Sequence, residues 1–292
     1  MKIAVASGKG GTGKTTVAVN LALAASARGM DTVYMDCDVE EPNGALFLKP
    51  EIDEEIQVQV SVPSIEQAKC TGCRQCSKIC QFNAIINMGG KVLLFPELCH
   101  GCAGCWLVCP TGALSETKRV TGKLESGRAG KIKFIQGLLN VGEAMSPPVI
   151  RELKKHAPES DMLILDSPPG TSCPVIECVR DSDYVLLVTE PTPFGLNDLK
   201  LAVETVKALK LPFGVVINRA DAGDKQTVQY CHSSGIEILS EIPDDRRVAE
   251  AYSRGETAFE AVPEYRNTFY GLLEKIEVFS ERHTNYGRSA AK

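Results

Sequence analysis

Eight of the twelve cysteines in this 292-residue chain fall into two short runs with the same spacing. Each run has the form C-x2-C-x2-C-x3-C, with cysteines at positions 70, 73, 76 and 80 and again at 99, 102, 105 and 109. In such runs three closely spaced thiolates bind one iron–sulfur cluster, and the fourth cysteine binds the cluster of the other run. The spacing therefore predicts two [4Fe–4S] clusters, held by a first cysteine set of Cys70, Cys73, Cys76 and Cys109 and a second cysteine set of Cys99, Cys102, Cys105 and Cys80.

The two runs are halves of an internal repeat with an offset of 29 residues. Residues 70–85 align with residues 99–114 without a gap, and every cysteine of one run has a counterpart in the other. Zinc is the alternative metal, but zinc sites typically use C-x2-C pairs at wider separations, with four ligands around each ion. The repeat therefore favours iron–sulfur clusters over zinc.

One position of the repeat departs from the ferredoxin pattern. Pro110 follows Cys109 as the pattern requires, whereas Gln81 follows Cys80. Glutamine restores a backbone N–H that proline lacks. That N–H could donate to a cluster sulfur and raise the local reduction potential; alternatively, Gln81 is a tolerated loop substitution.

A second motif, Gly8-x4-Gly13-Lys14-Thr15, has the spacing of a phosphate-binding loop. Backbone N–H groups of such a loop surround phosphate oxygens, the lysine reaches the β and γ phosphates, and the Thr15 hydroxyl holds Mg²⁺. The motif predicts that ATP or ADP binds with Mg²⁺. The predicted contacts are Gly8, Gly10, Gly11, Thr12, Gly13, Lys14, Thr15 and Thr16.

A phosphate-binding loop has to follow a strand and open a helix, and the sequence around this one has that order. Residues 2–7 form an apolar strand, residues 14–28 a helical pattern ended by Gly29, and residues 32–36 a second strand. Later apolar runs are continuous, which is typical of strands buried on both faces. These and the remaining predicted elements are strands at 133–139, 162–166, 184–189, 213–218 and 237–242, helices at 196–209 and 263–279, and a helix N-cap at Ser146.

The order of these elements predicts an α/β fold with a mostly parallel sheet flanked by helices. The cysteine-rich stretch interrupts it, so we predict an ATPase domain at residues 1–60 and 119–292 and an inserted α+β domain of bacterial ferredoxin type at residues 61–118. In the last predicted helix an apolar stripe lies on one face. We expect this stripe to pack on the core rather than bind a membrane or a partner; it consists of Phe269, Leu272, Leu273 and Ile276.

The stretch KGGTGKTT carries a second lysine, Lys9, directly after the first glycine. It resembles the deviant Walker A loop of the MinD/ParA superfamily, which includes the nitrogenase iron protein and the Mrp-type iron–sulfur carriers. The resemblance implies that Lys9 reaches the nucleotide of a partner subunit, where it stabilises phosphate charge only when two subunits close. It therefore predicts an ATP-dependent dimer, either with itself or with a related ATPase. The alternative is a solvated lysine.

The resemblance extends to two later segments. MDCDVEEPN, residues 35–43, is similar to the first switch of the family, and implies that Asp38 positions the attacking water or acts on Mg²⁺. LILDSPPGTSCPV, residues 163–175, is similar to the Walker B strand and second switch, with Asp166 acting on Mg²⁺. Lys9, Lys14, Asp38 and Asp166 are thus the predicted catalytic residues. Asp36 is interpreted as a strand-end carboxylate that caps the chain or is solvated.

Two further segments of the resemblance concern the base of the nucleotide. VVINRAD, with Asn218, is similar to the strand end that reads adenine in the family. IPDDRRVAEAYSRGE, residues 242–256, is similar to the loop that covers the base, with Pro243 and Asp245. A proline and acidic residues are otherwise ordinary loop residues.

Cys173 lies seven residues after Asp166, in the second switch. In the nitrogenase iron protein a cysteine at this distance binds a cluster shared between subunits, together with a further cysteine from an earlier loop. The corresponding stretch here, GLLNVGEAMSPP, has no cysteine. Cys173 could bind such a bridging cluster, with Cys178 as an added ligand; it could also be a buried small residue or a thiol that senses the switch.

Composition limits the other functions. The net charge of −5 argues against nonspecific nucleic-acid binding, which requires a basic surface. The chain lacks an apolar run of about 18 residues, so we expect no membrane span. It also begins without the pattern of a signal peptide, so we expect a cytoplasmic protein.

The combination of motifs resembles MinD-superfamily ATPases with an inserted ferredoxin domain. It predicts an ATPase that couples ATP-dependent dimer closure to electron transfer through two clusters, with a redox or iron–sulfur acceptor protein as partner. One alternative is an Mrp-type cluster carrier or assembly factor, which the stretch DSPPGT favours. The others are a MinD-like positioning ATPase with structural or redox-sensing clusters, and an amide-forming synthetase, for which no small-molecule site is evident.

Overall fold

The computed structural model describes residues 1–289, with side chains described for residues 1–279. Within these residues the chain forms eleven strands, eleven helices and two short 3-10 turns. The strands are β1 Lys2–Ala6, β2 Thr32–Asp36, β3 Glu51–Ile65, β4 Ile85–Met88, β5 Lys91–Leu94, β6 Leu114–Ala129, β7 Ile132–Leu139, β8 Met162–Asp166, β9 Tyr184–Thr189, β10 Phe213–Asn218 and β11 Ile238–Ile242. The helices are α1 Lys14–Ala27, α2 Gly44–Leu48, α3 Gln75–Ile79, α4 Gly104–Leu107, α5 Pro147–Lys155, α6 Cys173–Val179, α7 Pro193–Ala208, α8 Gln226–Ser233, α9 Arg246–Ser253, α10 Ala258–Ala261 and α11 Pro263–Ser289.

Nine of the strands form one sheet in the order β11-β10-β9-β1-β8-β2-β7-β6-β3. The seven strands from β11 to β7 run parallel to one another, whereas β6 and β3 continue the sheet in antiparallel pairing. The predicted α/β fold with a mostly parallel sheet is confirmed. None of the helices in the described part of the chain is long and apolar enough to cross a membrane.

The central strands are buried on both faces because helices cover the sheet from both sides. Along β1, Ile3 packs into a core that includes helices α1 and α11, and Ala4 packs into a second core that includes α5 and α7. A strand covered in this way has apolar residues at every position. This explains the continuous apolar runs at β8, β9 and β10.

The apolar stripe of α11 lies in the first of these cores. Phe269, Leu272, Leu273 and Ile276 are all 1% exposed or less. The prediction that this stripe packs on the core is therefore confirmed. The helix starts at Pro263 as predicted, but its backbone continues ten residues beyond Phe279.

One helix start and one helix cap differ from the sequence-based expectation. Helix α7 begins at Pro193, three residues early, because the Thr192 side chain accepts a hydrogen bond from the Gly195 N–H at 3.0 Å and caps the helix. Ser146 occupies the N-cap position of α5, as predicted, but its side chain does not cap the helix. Its hydroxyl instead donates to Glu40 Oε1 at 3.0 Å.

Strands β3 and β6 form a long antiparallel ribbon that the sequence-based prediction missed. They pair continuously from Glu51 with Arg128 to Ile65 with Leu114, with two register shifts. One end of the ribbon belongs to the nine-stranded sheet, and the other end carries residues 66–113, here called the cysteine module. The predicted limits of the insert at 61 and 118 fall within the paired strands, and the division into two domains stays a prediction.

The cysteine module contains the hairpin β4–β5 and the short helices α3 and α4. Cysteines contribute to both of its small cores. One core joins Cys76 and Cys105 with Ile85, Val92 and Leu114, and the other joins Cys99 with Val62 and Ala84.

Candidate functional site

The phosphate loop, residues 8–16, lies between the end of β1 and the start of α1. Two of its glycines, Gly8 and Gly13, lie at positions that larger residues cannot occupy. A Cβ atom on Gly8 would lie 2.2 Å from the Asp198 carbonyl oxygen, and one on Gly13 would lie 2.3 Å from Asn218 Nδ2. Gly13 also has a φ of +89°, which favours glycine. The loop therefore needs these glycines both for backbone conformation and for close packing.

Lys14 lies between two of the predicted catalytic carboxylates. Its Nζ is 3.9 Å from Asp38 Oδ2 and 3.9 Å from Asp166 Oδ1, and the residue is buried. Asp166 is the last residue of β8, Lys14 is the first residue of α1, and Asp38 follows β2. The carboxyl ends of parallel strands meet at one sheet edge, so three distant segments converge there.

Asp166 is completely buried and accepts a hydrogen bond from the Tyr34 hydroxyl at 2.9 Å through Oδ2. Burial raises the pKa of this carboxyl, while Lys14 and the hydroxyls of Thr15 and Tyr34 act in the opposite direction. Oδ1 accepts no hydrogen bond from any described residue. Because Mg²⁺ prefers oxygen ligands, a carboxylate oxygen that accepts no hydrogen bond fits the predicted magnesium site.

Asp38 and Asp36 have different environments although they are two residues apart. Burial raises the pKa of Asp38 to about 6, and the carboxylates of Asp166, Glu40 and Glu41 add to the effect of burial, whereas Lys14 opposes it. Asp36 is buried and accepts the backbone N–H groups of Asp38, Asn43 and Gly44 at 2.9–3.1 Å. The capping interpretation of Asp36 is confirmed, and the solvated one is wrong.

The three residues predicted to contact the base lie around one cavity of about 220 Å³ beside the phosphate loop. Asn218 Nδ2 donates to the Thr12 carbonyl at 2.9 Å, which ties the end of β10 to the loop. Asp245 accepts from the Arg247 N–H at 2.8 Å and caps α9. Pro243 and Tyr265 line the same cavity. The structure thus brings these residues together, and their contacts with adenine stay a prediction.

Lys9 is not a freely solvated lysine. Its Nζ is 3.6 Å from Glu190 Oε2, and Glu190 is nearly buried at the end of β9. The other carboxylate oxygen of Glu190 accepts a hydrogen bond from Arg219 at 3.0 Å. Arg219 is the residue directly after Asn218. Sequence reasoning missed Glu190, since a single glutamate after a strand has no local signal that distinguishes it from a surface residue.

The first cysteine set lines one small cavity in the module. The four cysteines share it with Ile65, Asn87, Val92 and Leu114. Cys109 comes from the other run of the repeat, as the ferredoxin pattern predicts. Burial raises the pKa of Cys76, whereas at Cys109 the effect of burial is outweighed by the Leu114 N–H, the Thr111 hydroxyl and N–H and the Ala113 N–H, which lower its pKa.

Two members of the second cysteine set meet across the repeat. Cys80 packs in the same small core as Cys99, and burial raises the pKa of Cys105 to about 11. Gln81, the residue that departs from the pattern, is exposed. Its predicted effect on a cluster stays a prediction.

The thiols are not arranged for a single metal ion. Among the described residues, no group of three or more His, Cys, Asp or Glu side chains is close enough to hold one ion. Zinc holds its thiolates at about 2.3 Å, so their sulfurs would lie under about 4 Å from one another. Four thiols around one cavity, with Cys76 buried among apolar residues, fit the ligand set of an iron–sulfur cube better.

Cys173 is exposed and is the first residue of α6. The interpretation of Cys173 as a buried small residue is therefore wrong. Cys178 lies on the same helix, as expected, but it is 0% exposed and packs in the core. It is therefore wrongly placed to add a ligand to a cluster at a subunit interface, and a bridging cluster at Cys173 stays a prediction.

Comparisons with known proteins support the nucleotide-binding part. Residues 3–258 match the family described as CbiA, the CobQ/CobB/MinD/ParA nucleotide binding domain. The uncharacterized protein MJ0578 of Methanocaldococcus jannaschii is 35% identical over 283 residues, which cover 96% of this chain and 97% of that protein. An iron-sulfur cluster carrier protein of the same organism is 24% identical over 303 residues, covering 94% and 85%.

The fold has a solved counterpart. The septum site-determining protein MinD of Pyrococcus horikoshii, in complex with Mg-ADP, superposes with a TM-score of 0.59 over 94% of this chain and 95% of that one. At 20% identity this likeness shows the fold alone. The family match covers most of the sheet and the whole phosphate loop, and it confirms the superfamily predicted from the residues around Lys9. The chain therefore belongs to the CobQ/CobB/MinD/ParA family of nucleotide-binding proteins.

Proposed function

We propose that this protein is a Mg²⁺-dependent ATPase that binds two [4Fe–4S] clusters and couples ATP-dependent closure of a dimer to electron transfer through them. The observation that supports this function best is a chain of contacts from the first switch, residues 35–43, to the ribbon that carries the cysteine module. When bound, the clusters would take up and release single electrons. The residues of the chain would bind the nucleotide, hold the clusters and link the two sites.

At the nucleotide end, the buried Lys14 would neutralise phosphate charge. Its ammonium group is held in place between Asp38 and Asp166. Thr15 and Asp166 Oδ1, which accepts no hydrogen bond from a described residue, would hold Mg²⁺. Asp38 would orient the attacking water. Lys9 would leave Glu190 and reach the nucleotide of a second subunit, either an identical chain or a related ATPase.

The first switch contacts a connecting segment, residues 139–146, at two points. The Leu139 N–H donates to the Val39 carbonyl at 2.8 Å. The Ser146 hydroxyl donates to the Glu40 carboxylate at 3.0 Å. A movement of the first switch on nucleotide binding would therefore pull on both ends of the connecting segment.

The connecting segment is in turn bound to strand β6. The Asn140 N–H donates to the Thr121 carbonyl at 2.9 Å. Arg119 forms a partly buried, two-pronged ion pair with Glu143, with Nη2 at 2.9 Å from Oε2. Arg119 lies five residues along β6 from Leu114, which lines the cavity of the first cysteine set. Displacement at the switch thus has a short, hydrogen-bonded path to that cavity.

The test is a redox titration of anaerobically prepared protein, with and without a non-hydrolysable ATP analogue and Mg²⁺. The native chain should hold about eight irons. A coupling of about 1–3 kcal/mol between the sites corresponds to a shift of roughly 40–130 mV for one electron. A chain without iron, or potentials that do not respond to nucleotide, would contradict the proposal.

A matched variant tests the path itself. Glu143→Gln removes the charge that pairs with Arg119 but leaves the nucleotide site and the cysteines unchanged. We expect it to reduce the nucleotide-induced shift while hydrolysis and iron content stay at native values. Glu55→Gln removes an exposed ion pair with Lys123 on the same ribbon and should leave the shift intact. Equal effects of both variants would argue against a specific path.

A second candidate function is delivery of a cluster to an acceptor protein. It is favoured by the iron-sulfur cluster carrier relatives, which align over 94% of the chain in two archaea, and by the exposed Cys173 in the second switch. Incubation with a cluster-free ferredoxin would separate the two functions. ATP-dependent cluster transfer without a shift in potential would favour the carrier over the electron-transfer protein.

A further inference from the structure

Asn87 is a polar residue on the inner face of the β4–β5 hairpin. Its neighbours along β4, Ile86 and Met88, are exposed, so alternation along the strand turns Asn87 inward. It pairs across the hairpin with Val92, which is buried in the module core. An amide therefore occupies a position where the surrounding pattern calls for an apolar side chain.

Both polar atoms of this amide are buried, and neither Nδ2 nor Oδ1 has a hydrogen-bond partner among the residues that the structure describes. Buried amides are almost always hydrogen-bonded, because desolvation without a partner is unfavourable. A buried amide without a partner at a strand position therefore indicates an acceptor that is present only when the neighbouring site holds its cofactor. The cavity next to it identifies that acceptor.

Asn87 lines the same cavity as the four cysteines of the first set. The rest of the lining is apolar at Ile65, Val92, Ala113 and Leu114 and polar at Thr71, Arg74, Gln75 and Thr111. Among the polar side chains that the structure describes in this lining, only that of Asn87 has buried atoms without a hydrogen-bond partner. Sulfur atoms of a cluster bound by these cysteines would be the acceptors within reach. An amide N–H that donates to a cluster sulfur stabilises the extra negative charge of the reduced state, and so raises the reduction potential.

The second half of the repeat lacks this feature. With the offset of 29 residues, the position equivalent to Asn87 is Glu116. Its carboxylate is exposed and faces outward, where it accepts from the Ser61 hydroxyl and from Lys118. The two halves of the repeat are therefore asymmetric at this position, with an inward amide in one and an outward carboxylate in the other.

We propose that Asn87 donates an N–H···S hydrogen bond to the cluster of the first cysteine set and makes that cluster the one with the higher reduction potential. This inference rests on the proposed binding of two clusters. It implies a direction, since an electron that enters the module would settle at the first set, below the β4–β5 hairpin. Asn87 would act through this hydrogen bond and would not be a ligand of iron.

The test compares native protein with Asn87→Leu, which is similar in volume and removes the donor. Both are prepared anaerobically as the full chain, and iron content and the two midpoint potentials are measured by titration with electron paramagnetic resonance. We expect unchanged iron content, one potential lowered and the other unchanged. A tenfold shift in the ratio of reduced to oxidised cluster, about 59 mV, is the expected size.

Two control variants separate tuning from loosening of the cavity. Val92→Ala opens the same cavity and admits water without removing a donor, so it should not lower the potential. Glu116→Gln changes the equivalent position of the second half and should leave both potentials unchanged. A lowered potential in Val92→Ala equal to that in Asn87→Leu would overturn the inference.

The proposed function and the proposed role of Asn87 are contradicted by different results. A native chain without iron overturns the proposed function. Native iron content with both potentials unchanged in Asn87→Leu overturns the role of Asn87 and leaves the proposed function standing. Asn87→Val provides a second substitution; if iron falls by about half in both variants, the residue builds the site instead of tuning it, and the inference is wrong.

Discussion

The nucleotide site and the cysteine module are held together in different ways. Around Lys14 the side chains are fixed by ion pairs and by hydrogen bonds such as that from Tyr34 to Asp166, inside a sheet covered on both faces. The module has two small cores that include predicted ligands, and it exposes large apolar side chains including Phe82, Met88 and Leu107. The first site is preorganised by the protein, whereas we expect the second to depend on the clusters proposed to bind its thiols.

The strongest test of this difference is Lys14→Ala. It removes the cation between two carboxylates and the contact to the phosphates, so hydrolysis should fall by about a thousandfold or more. The visible absorption of the clusters should stay at its native value, because the cysteine module does not contact Lys14. Bleaching of the clusters in this variant would show that the two regions are not independent.

Cys76→Ser addresses the other region. Cys76 is buried in the module and belongs to the first cysteine set, so iron content should fall by about half and the module should become sensitive to protease. ATP hydrolysis should be largely retained. Cys231→Ser is the matched control, because Cys231 is also buried but lies on α8, outside the module. A loss of iron in the control would argue against the assignment of ligands.

The pH dependence of stability sharpens the description of the nucleotide site. Asp38 has a pKa of about 6, raised from its usual 3.8 chiefly by burial. Between these two values the folded chain binds more protons than the unfolded chain, so this group makes stability fall as pH rises from about 4 to about 6. The effect is at most about 3 kcal/mol. Asp38→Asn should remove it, as measured by urea unfolding across that range without Mg²⁺; an unchanged slope would contradict the buried position of Asp38.

The smallest expected effect concerns Lys9. Glu190→Gln removes its ion pair, whose partner is nearly buried, and frees Lys9 for a second subunit. We expect ATP-dependent dimerisation to strengthen by about fivefold, measured by sedimentation velocity across a concentration series. Asp244→Asn removes a weaker contact with Arg219 and should leave dimerisation unchanged. Weaker dimerisation in Glu190→Gln would mean that Glu190 orients Lys9 instead of retaining it.

Much of the fold was predictable because its signals are local. The parallel strands, the start of α11 and the core-facing stripe with Phe269 follow from continuous or periodic apolar residues. The ribbon of β3 and β6 was not predicted, although residues 56–62 alternate in polarity. Its two strands are 49 to 77 residues apart in the observed pairing, and a sequence pattern does not show which strand pairs with which.

The candidate sites show the same difference between features with a local sequence signal and features without one. The phosphate loop and both cysteine runs are recognisable in the sequence, because close spacing along the chain brings neighbouring N–H groups together for phosphate and would bring three neighbouring thiolates together for a cluster. Tertiary structure decided which lone residues join them: Tyr34 reaches Asp166 from 132 positions away, and Glu190 retains Lys9. The role proposed for Asn87 is evident only from the cavity that it lines. These side chains have no motif because their partners are made by strand order and packing, which act over distances that local spacing does not encode.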